Sequence, residues 1–224
     1  MIKRKEIKYL VPVEKINYLK SIFDNILERD KYGKNGTYVV RTQYYDTLEE
    51  DDLFDNLSGI IEKKKIRLRT YFEDESTFKL EYKYKYNTDS TKYSLIITRD
   101  EAKQMENHKY DFLLNKKSEL ALFFYYKLLE GCYRPKTIVE YNRLAYIYPV
   151  SRVRITFDTN VRATAYPYGL FDERLNTFPI VSPDIGVLEV KYNEFLPSSL
   201  KHILESIDTL PQTNSKYLKA RFLM

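Results

Sequence analysis

Short strands that carry charge on one face and apolar bulk on the other constrain this chain most. Successive side chains of a strand point to opposite faces. In Lys63-Lys64-Lys65-Ile66-Arg67-Leu68-Arg69-Thr70-Tyr71, the residues Lys65, Arg67 and Arg69 share one face, and Ile66, Leu68 and Phe72 the other. The next segment sets Lys79, Glu81, Lys83 and Lys85 against Phe78, Leu80, Tyr82, Tyr84 and Tyr86. Val153–Asp158 and Val187–Tyr192 alternate in the same way and contribute Arg154 and Glu189. One such strand implies little, because antiparallel sheets commonly keep one solvated polar face. Recurrence with the same sign is different, because like charges opposite each other across strands are destabilising. Lys65, Arg67, Arg69, Lys83 and Arg154 on neighbouring strands call for an anionic ligand. The interspersed carboxylates add a place for a metal ion.

The chain has 224 residues, 43% of them hydrophobic. That suits one large domain spanning residues 1–224. Its net charge of +5 is only mildly basic and gives no case for DNA. Cys132 stands alone, which excludes an internal disulfide framework and a Cys-based zinc site; after Gly131, at the end of an apolar helix, it reads as a buried inert thiol. Two histidines, His108 and His202, cannot build a His-rich metal site. No run approaches the roughly 18–20 apolar residues of a membrane span, and the N-terminus has no signal-peptide pattern. The chain therefore reads as soluble and cytoplasmic.

Periodicity predicts strands over 2–11, 37–46, 62–73, 76–86, 92–98, 136–148, 152–162 and 186–193. It predicts a helix from Pro12 carrying Ile16, Leu19, Ile22, Phe23, Ile26 and Leu27, a short acidic helix before Gly59, two helices between 99 and 130, and one from Pro197. Turns are expected at Gly33 and Gly36 and at Glu73-Asp74-Glu75-Ser76, and an irregular stretch over 163–183. Strands and helices do not alternate, so the class is α+β with an antiparallel sheet. Closing that sheet into a barrel would remove its edges.

These segments resemble a known family. Arg4-Lys5-Glu6-Ile7-Lys8-Tyr9, Val40–Thr47, Lys65–Arg69, Leu80-Glu81-Tyr82-Lys83, Ser90–Leu95, Val139-Glu140-Tyr141-Asn142-Arg143, Val153–Asp158, Leu188–Tyr192 and Ser215-Lys216-Tyr217 match, in order and spacing, the VTC-type polyphosphate polymerase domain. That domain belongs to the triphosphate tunnel (CYTH-like) superfamily. The resemblance implies an antiparallel β-barrel with flanking helices, its lumen a basic tunnel. It implies transfer of the γ-phosphate of ATP to a growing polyphosphate chain, with Mn2+ or Mg2+ as cofactor.

Carried over by position, Lys8, Arg154 and Lys216 become catalytic, and Arg67, Arg69, Lys83, Lys92, Arg143 and Ser215 bind substrate. Glu189 becomes the metal ligand. Partners are ATP and polyphosphate, without nucleic acid or a membrane span, and with room for a membrane-protein partner. Alternation alone singles out Lys8, Arg67, Arg69, Lys83, Arg154 and Glu189.

The chain departs from hydrolases of this superfamily, which begin Glu-x-Glu-x-Lys; here Arg4 replaces the first glutamate before Glu6 and Lys8. That favours the polymerase over a tunnel triphosphatase. A non-catalytic module binding polyphosphate or nucleotide is the third reading. RNA binding is disfavoured, because most aromatics alternate away from the charged faces. Asp46 and Asp158 read as turn or capping residues. Arg41 reads equally as a lumen residue or as the partner of an acidic neighbour.

Overall fold

In the computed structural model the described residues are 4–30, 36–71, 74–87, 89–165, 168–173 and 175–222. The expected turn at Gly33, Phe72 on the apolar face, and Glu73 of the expected hairpin turn lie outside them. The chain divides into two compact units, each discontinuous in sequence: Met1–Val39, Glu140–Arg162 and Pro179–Ser215, and then Val40–Val139, Ala163–Phe178 and Lys216–Met224.

The first unit contains β1 (Arg4–Pro12), α1 (Val13–Ile26), β2 (Glu28–Arg29), β10 (Ile185–Asn193) and α6 (Ser198–Glu205). Pro12 precedes α1, and its fixed φ suits the helix start. Apolar spacing puts Ile16, Leu19 and Phe23 on one face, while Ile26 turns outward and is exposed. That face packs on Ile155, Phe157, Leu188 and Val190 of the sheet, with Leu200 and Leu204 of α6 alongside. Phe23 stacks on Phe157 with ring centroids 6.1 Å apart. Each such aromatic, fully buried, contributes about 1.5–3 kcal/mol. Gly186 gives α1 room against β10, since a Cβ there would push on the Ile16 side chain.

The second unit contains α2 (Asp51–Leu57), β4 (Glu62–Tyr71), β5 (Asp74–Tyr86), β6 (Asp89–Thr98), α3 (Arg99–Glu106), α4 (Phe112–Asn115), α5 (Glu119–Glu130) and α7 (Lys216–Phe222). Its apolar strand face, Ile66, Leu68, Phe78, Leu80 and Tyr82, is covered by Met105, Ala121, Phe124 and Leu128 of α3 and α5. A capping box starts α3: Thr98 Oγ1 accepts the Glu101 N–H, and Glu101 Oε2 accepts the Thr98 N–H. Three helices, not two, occupy 99–130, because Asp111 opens the one-turn α4 between α3 and α5.

Three strands belong partly to each unit: β3 (Thr37–Asp46), β7 (Arg134–Tyr148) and β8 (Val153–Ala165); β9 is the two-residue Phe178–Pro179. The sheet order is β1-β10-β8-β7-β3-β4-β5-β6, with β2 on β7 and β9 on β8. The fold is α+β with an antiparallel sheet and flanking helices, as the pattern predicts.

Two sequence expectations are corrected. Cys132 is exposed, because it leaves α5 with a positive φ of 47° that turns its side chain outward. Asp158 lies inside β8, not at a strand end. Arg41 donates to the carbonyls of Leu170 and Asp172 at 2.9 and 2.8 Å. Asp46 behaves as expected: its carboxylate accepts the N–H groups of Thr47, Asp52 and Leu53 and holds the start of α2.

Candidate functional site: two charged sheet faces

In the first unit the antiparallel register places Lys8 opposite Glu189, and Glu6 opposite Lys191. On the other side Glu189 faces Thr156, and Lys191 faces Arg154. Opposed residues share a face, so all six point away from the α1 core. Glu6 and Glu189 are cross-linked by lysines. Lys8 Nζ lies 2.9 Å from Glu6 Oε1 and 3.5 Å from Glu189 Oε1, and Lys191 Nζ lies 3.0 Å from Glu189 Oε2. Burial raises the Glu189 carboxyl, but Lys191, Lys8, a hydrogen bond with Glu6, and Arg143 together hold it well below the usual carboxylate range. Lys8 also donates to the Asn214 carbonyl at 3.4 Å, next to Ser215.

Arg143 is buried and makes a two-pronged contact with Asp158, Nε to Oδ1 at 2.6 Å and Nη2 to Oδ2 at 2.8 Å. Its guanidinium lies over Tyr141, 5.1 Å from the ring centroid. Arg154 reaches Asp30 Oδ2 at 2.6 Å and donates to the Tyr38 hydroxyl at 3.1 Å.

The second unit carries the other residues expected from sequence. Register opposes Thr42 to Arg69 and Tyr44 to Arg67 between β3 and β4. It then opposes Arg67 to Glu81, Arg69 to Lys79 and Lys65 to Lys83 between β4 and β5, and Lys83 to Lys92 between β5 and β6. Glu81 is the buried carboxylate of this face. Its Oε2 lies 2.7 Å from Arg67 Nε and 3.9 Å from Arg69 Nη1, and its Oε1 lies 2.7 Å from Lys92 Nζ. Burial alone would raise its pKa; Arg67, Arg69 and Lys92 outweigh burial and hold it well below the carboxylate range. Lys65, Lys83 and Lys92 stand opposite one another across two strand pairs.

The field of this face is visible in its tyrosines. Burial pushes the Tyr44 hydroxyl up, yet Arg67, Arg69 and Lys216 draw it below its ordinary value. Tyr71 behaves likewise, burial opposed by Arg69 and Lys79. Buried hydroxyls drawn toward ionisation mark a surface that favours negative charge.

Lys216 opens α7, which three contacts fix. Tyr217 donates to Asp46 Oδ2, its ring lies 5.2 Å from that of Tyr44, and Arg221 pairs with Glu50. Behind them lies a second carboxyl: burial, with Asp46 beside it, pushes Asp52 up to about 7.

A VTC domain family model matches residues 3–224. The chain belongs to the VTC domain family. No curated protein matches the VTC chain. Solved structures give its fold. HpAC1 from Hippeastrum, described as an adenylyl cyclase candidate with a dominant triphosphatase activity, superposes with a TM-score of 0.59 at 14% identity; the alignment covers 99% of this chain and 96% of that one. An adenylate cyclase candidate from Bacillus halodurans follows at 0.52 and 14%, covering 99% of each chain. PH1819 from Pyrococcus horikoshii gives 0.50 and 13%, again with 99% of each chain. The VTC domain thus shares its fold with these structures.

Of the residues expected from sequence, Lys8, Arg143, Arg154, Glu189 and Ser215 fall in the first unit, and Arg67, Arg69, Lys83, Lys92 and Lys216 in the second. Sequence reading missed Glu81 as the hub of the second face, Lys191 as the partner of Glu189, and Tyr44. For Glu81 the signal was present: it shares parity with Lys79 and Lys83 on a strand otherwise charged positively.

Among the described residues no cluster of three or more His, Cys, Asp or Glu forms a metal cage. Glu6 and Glu189 supply two carboxylates on one face, which suits a hard cation that takes one or two protein oxygens and completes its shell with phosphate and water. Their lysine cross-links would have to shift toward phosphate oxygens for the cation to enter. No helix among the described residues is long and apolar enough to cross a membrane.

Proposed function

We propose that this VTC domain is an NTP-dependent polyphosphate polymerase, moving the γ-phosphate of ATP to a growing polyphosphate chain. The observation that carries the reading is the second unit's face, where lysines oppose lysines in register and two arginines flank a single buried glutamate. A polyanion that bound such a face of the native chain would stabilise it.

Arg67 and Arg69 offer planar forks for two-pronged contacts with phosphate oxygens. Lys83 and Lys92 supply point charges along the chain, and Ser215 a hydroxyl. Lys8 and Arg154 on the first unit's face, and Lys216 on the second unit's, each supply charge that neutralises phosphate; positioning and charge stabilisation make up most of what a protein contributes to phosphoryl transfer. Glu189, with Glu6, would hold Mn2+ or Mg2+, which when bound neutralises phosphate charge and orients the oxygens. Arg143 acts through its pair with Asp158, holding the sheet face beside Glu189.

A tunnel triphosphatase is the second reading, favoured by one observation: Glu6 stands against Glu189, giving two carboxylates where the sequence promised one principal ligand. Product identity separates the readings. Incubation with ATP and Mn2+, followed by gel electrophoresis, should show polyphosphate. Orthophosphate alone would establish the hydrolase, and tight binding without turnover a binding module.

A further inference from the structure

We propose that Tyr44 is a phosphate-ligating residue, its hydroxyl donating a hydrogen bond to an anion held by Arg67, Arg69 and Lys216. This rests on the polyanion-binding reading of the second unit's face.

Several other buried tyrosines have an acceptor for their proton. Tyr45 donates to Gln43 Oε1, Tyr110 to the Tyr133 carbonyl, Tyr133 to the Asp52 carboxyl and Tyr217 to Asp46. Each gives its proton to an acceptor of the protein, as burial of a hydroxyl requires. Tyr44 is equally buried, at 6% exposure, but its hydroxyl has different company. Arg67, directly opposite in register, hydrogen-bonds to it, and the charges of Arg69 and Lys216 lie beside it. Guanidinium and ammonium groups are donors without a lone pair to offer. The Tyr44 oxygen can accept from Arg67, and none of the three cations beside it can take its proton. A phosphate oxygen supplies the acceptor and is drawn to the same spot by three cations.

Position supports the role. The ring rests on Tyr217, which Asp46 anchors, so the hydroxyl is held on a rigid support. The charged groups around it are Arg67 and Arg69 of β4 and Lys216 of α7, with Glu81 on the far side of Arg67. The cations also ease ionisation of Tyr44, and the ionised form would lose its donor and repel the ligand. Anion affinity should therefore carry an alkaline limb that belongs to this tyrosine.

The test uses inorganic tripolyphosphate as probe and the full chain, with binding followed by calorimetry from neutral to alkaline pH. Tyr44→Phe should weaken binding about ten- to 150-fold at neutral pH, the range for one hydrogen bond to a charged group. It should also remove the alkaline limb that precedes lysine titration. In the wild type, added tripolyphosphate should decrease tyrosinate absorbance at alkaline pH, a readout that needs no variant and survives a misfolded Tyr44→Phe. Equal affinity and an unchanged pH profile in Tyr44→Phe, or no loss of tyrosinate signal on binding, would overturn the role of Tyr44 while leaving the polyanion site intact. Failure of the wild type to bind tripolyphosphate at neutral pH would instead remove the binding reading, and the ligand role with it.

Discussion

Replacing Glu81 by Gln probes the charge balance of the second unit's face. The substitution keeps the shape of the side chain and removes the charge between Arg67, Arg69 and Lys92. The glutamine oxygen still accepts one hydrogen bond, while its NH2 faces donors. Removing one partner of a buried ion pair costs about 3–5 kcal/mol. Here the Glu81 side chain is only 3% exposed, while Arg67 keeps 21% and Lys92 51% of its surface in water. Their partial solvation places the loss near the lower end, about 3 kcal/mol. In a domain of this size each kcal/mol moves Tm by about 2–4 °C, so the variant should melt about 6–12 °C lower at neutral pH.

The sign with pH follows from the depressed carboxyl. The contribution of Glu81 is fully present above the ordinary carboxylate value of 4.5 and is lost as pH falls below it toward the folded value. The gap between wild type and Glu81→Gln should shrink in acid. Tripolyphosphate should raise Tm more in the variant than in the wild type, because the phosphate replaces a missing negative charge. Thermal melts followed by circular dichroism, with and without tripolyphosphate, measure all three effects. A loss under about 1 kcal/mol, or a gap that stays constant into acid, would refute the claim that Glu81 neutralises this cluster.

Four further outcomes are expected. Glu189→Gln should lower turnover by orders of magnitude while tripolyphosphate binding persists, measured as kcat against Kd; equal loss of binding would make Glu189 a partner of Lys8 and Lys191 alone. Arg67→Ala should instead weaken tripolyphosphate binding by about 1.5–3 kcal/mol in calorimetry. Asp52 holds a proton up to about 7 in the folded state, so its burial lowers stability progressively as pH rises from its ordinary value; Asp52→Asn should stabilise the chain at pH above about 7 and matter little in mild acid, by urea denaturation. Asp158→Ala strands the buried Arg143 and should cost about 3–5 kcal/mol in the same assay.

Much of this was legible in the sequence, and the part that was not has a common cause. Period-two alternation assigns residues to faces, so Arg67, Arg69, Lys83, Arg154 and Glu189 could be read off as charged positions opposite an apolar core. Register is a different matter, because it depends on which strand lies beside which. Glu81 could be seen to share a face with lysines, but only pairing shows that it sits across from Arg67 and within reach of Lys92. The partnership of Arg143 and Asp158, fifteen residues apart, arises the same way. Cys132 was misjudged because a positive φ after a helix end overrides the local apolar pattern. The expected two-helix segment became three helices for a similar reason: one short turn, α4, carries too few residues to show a helical period.

A crystal structure of the chain with tripolyphosphate and Mn2+ tests the central claim most directly. The account predicts phosphate oxygens on the guanidinium groups of Arg67 and Arg69 at about 2.7–2.9 Å, the Tyr44 hydroxyl on one of them, and Mn2+ on Glu189. Tripolyphosphate bound elsewhere on the surface, with Arg67 and Lys92 still closed on Glu81 and Lys8 and Lys191 still closed on Glu189, would contradict it.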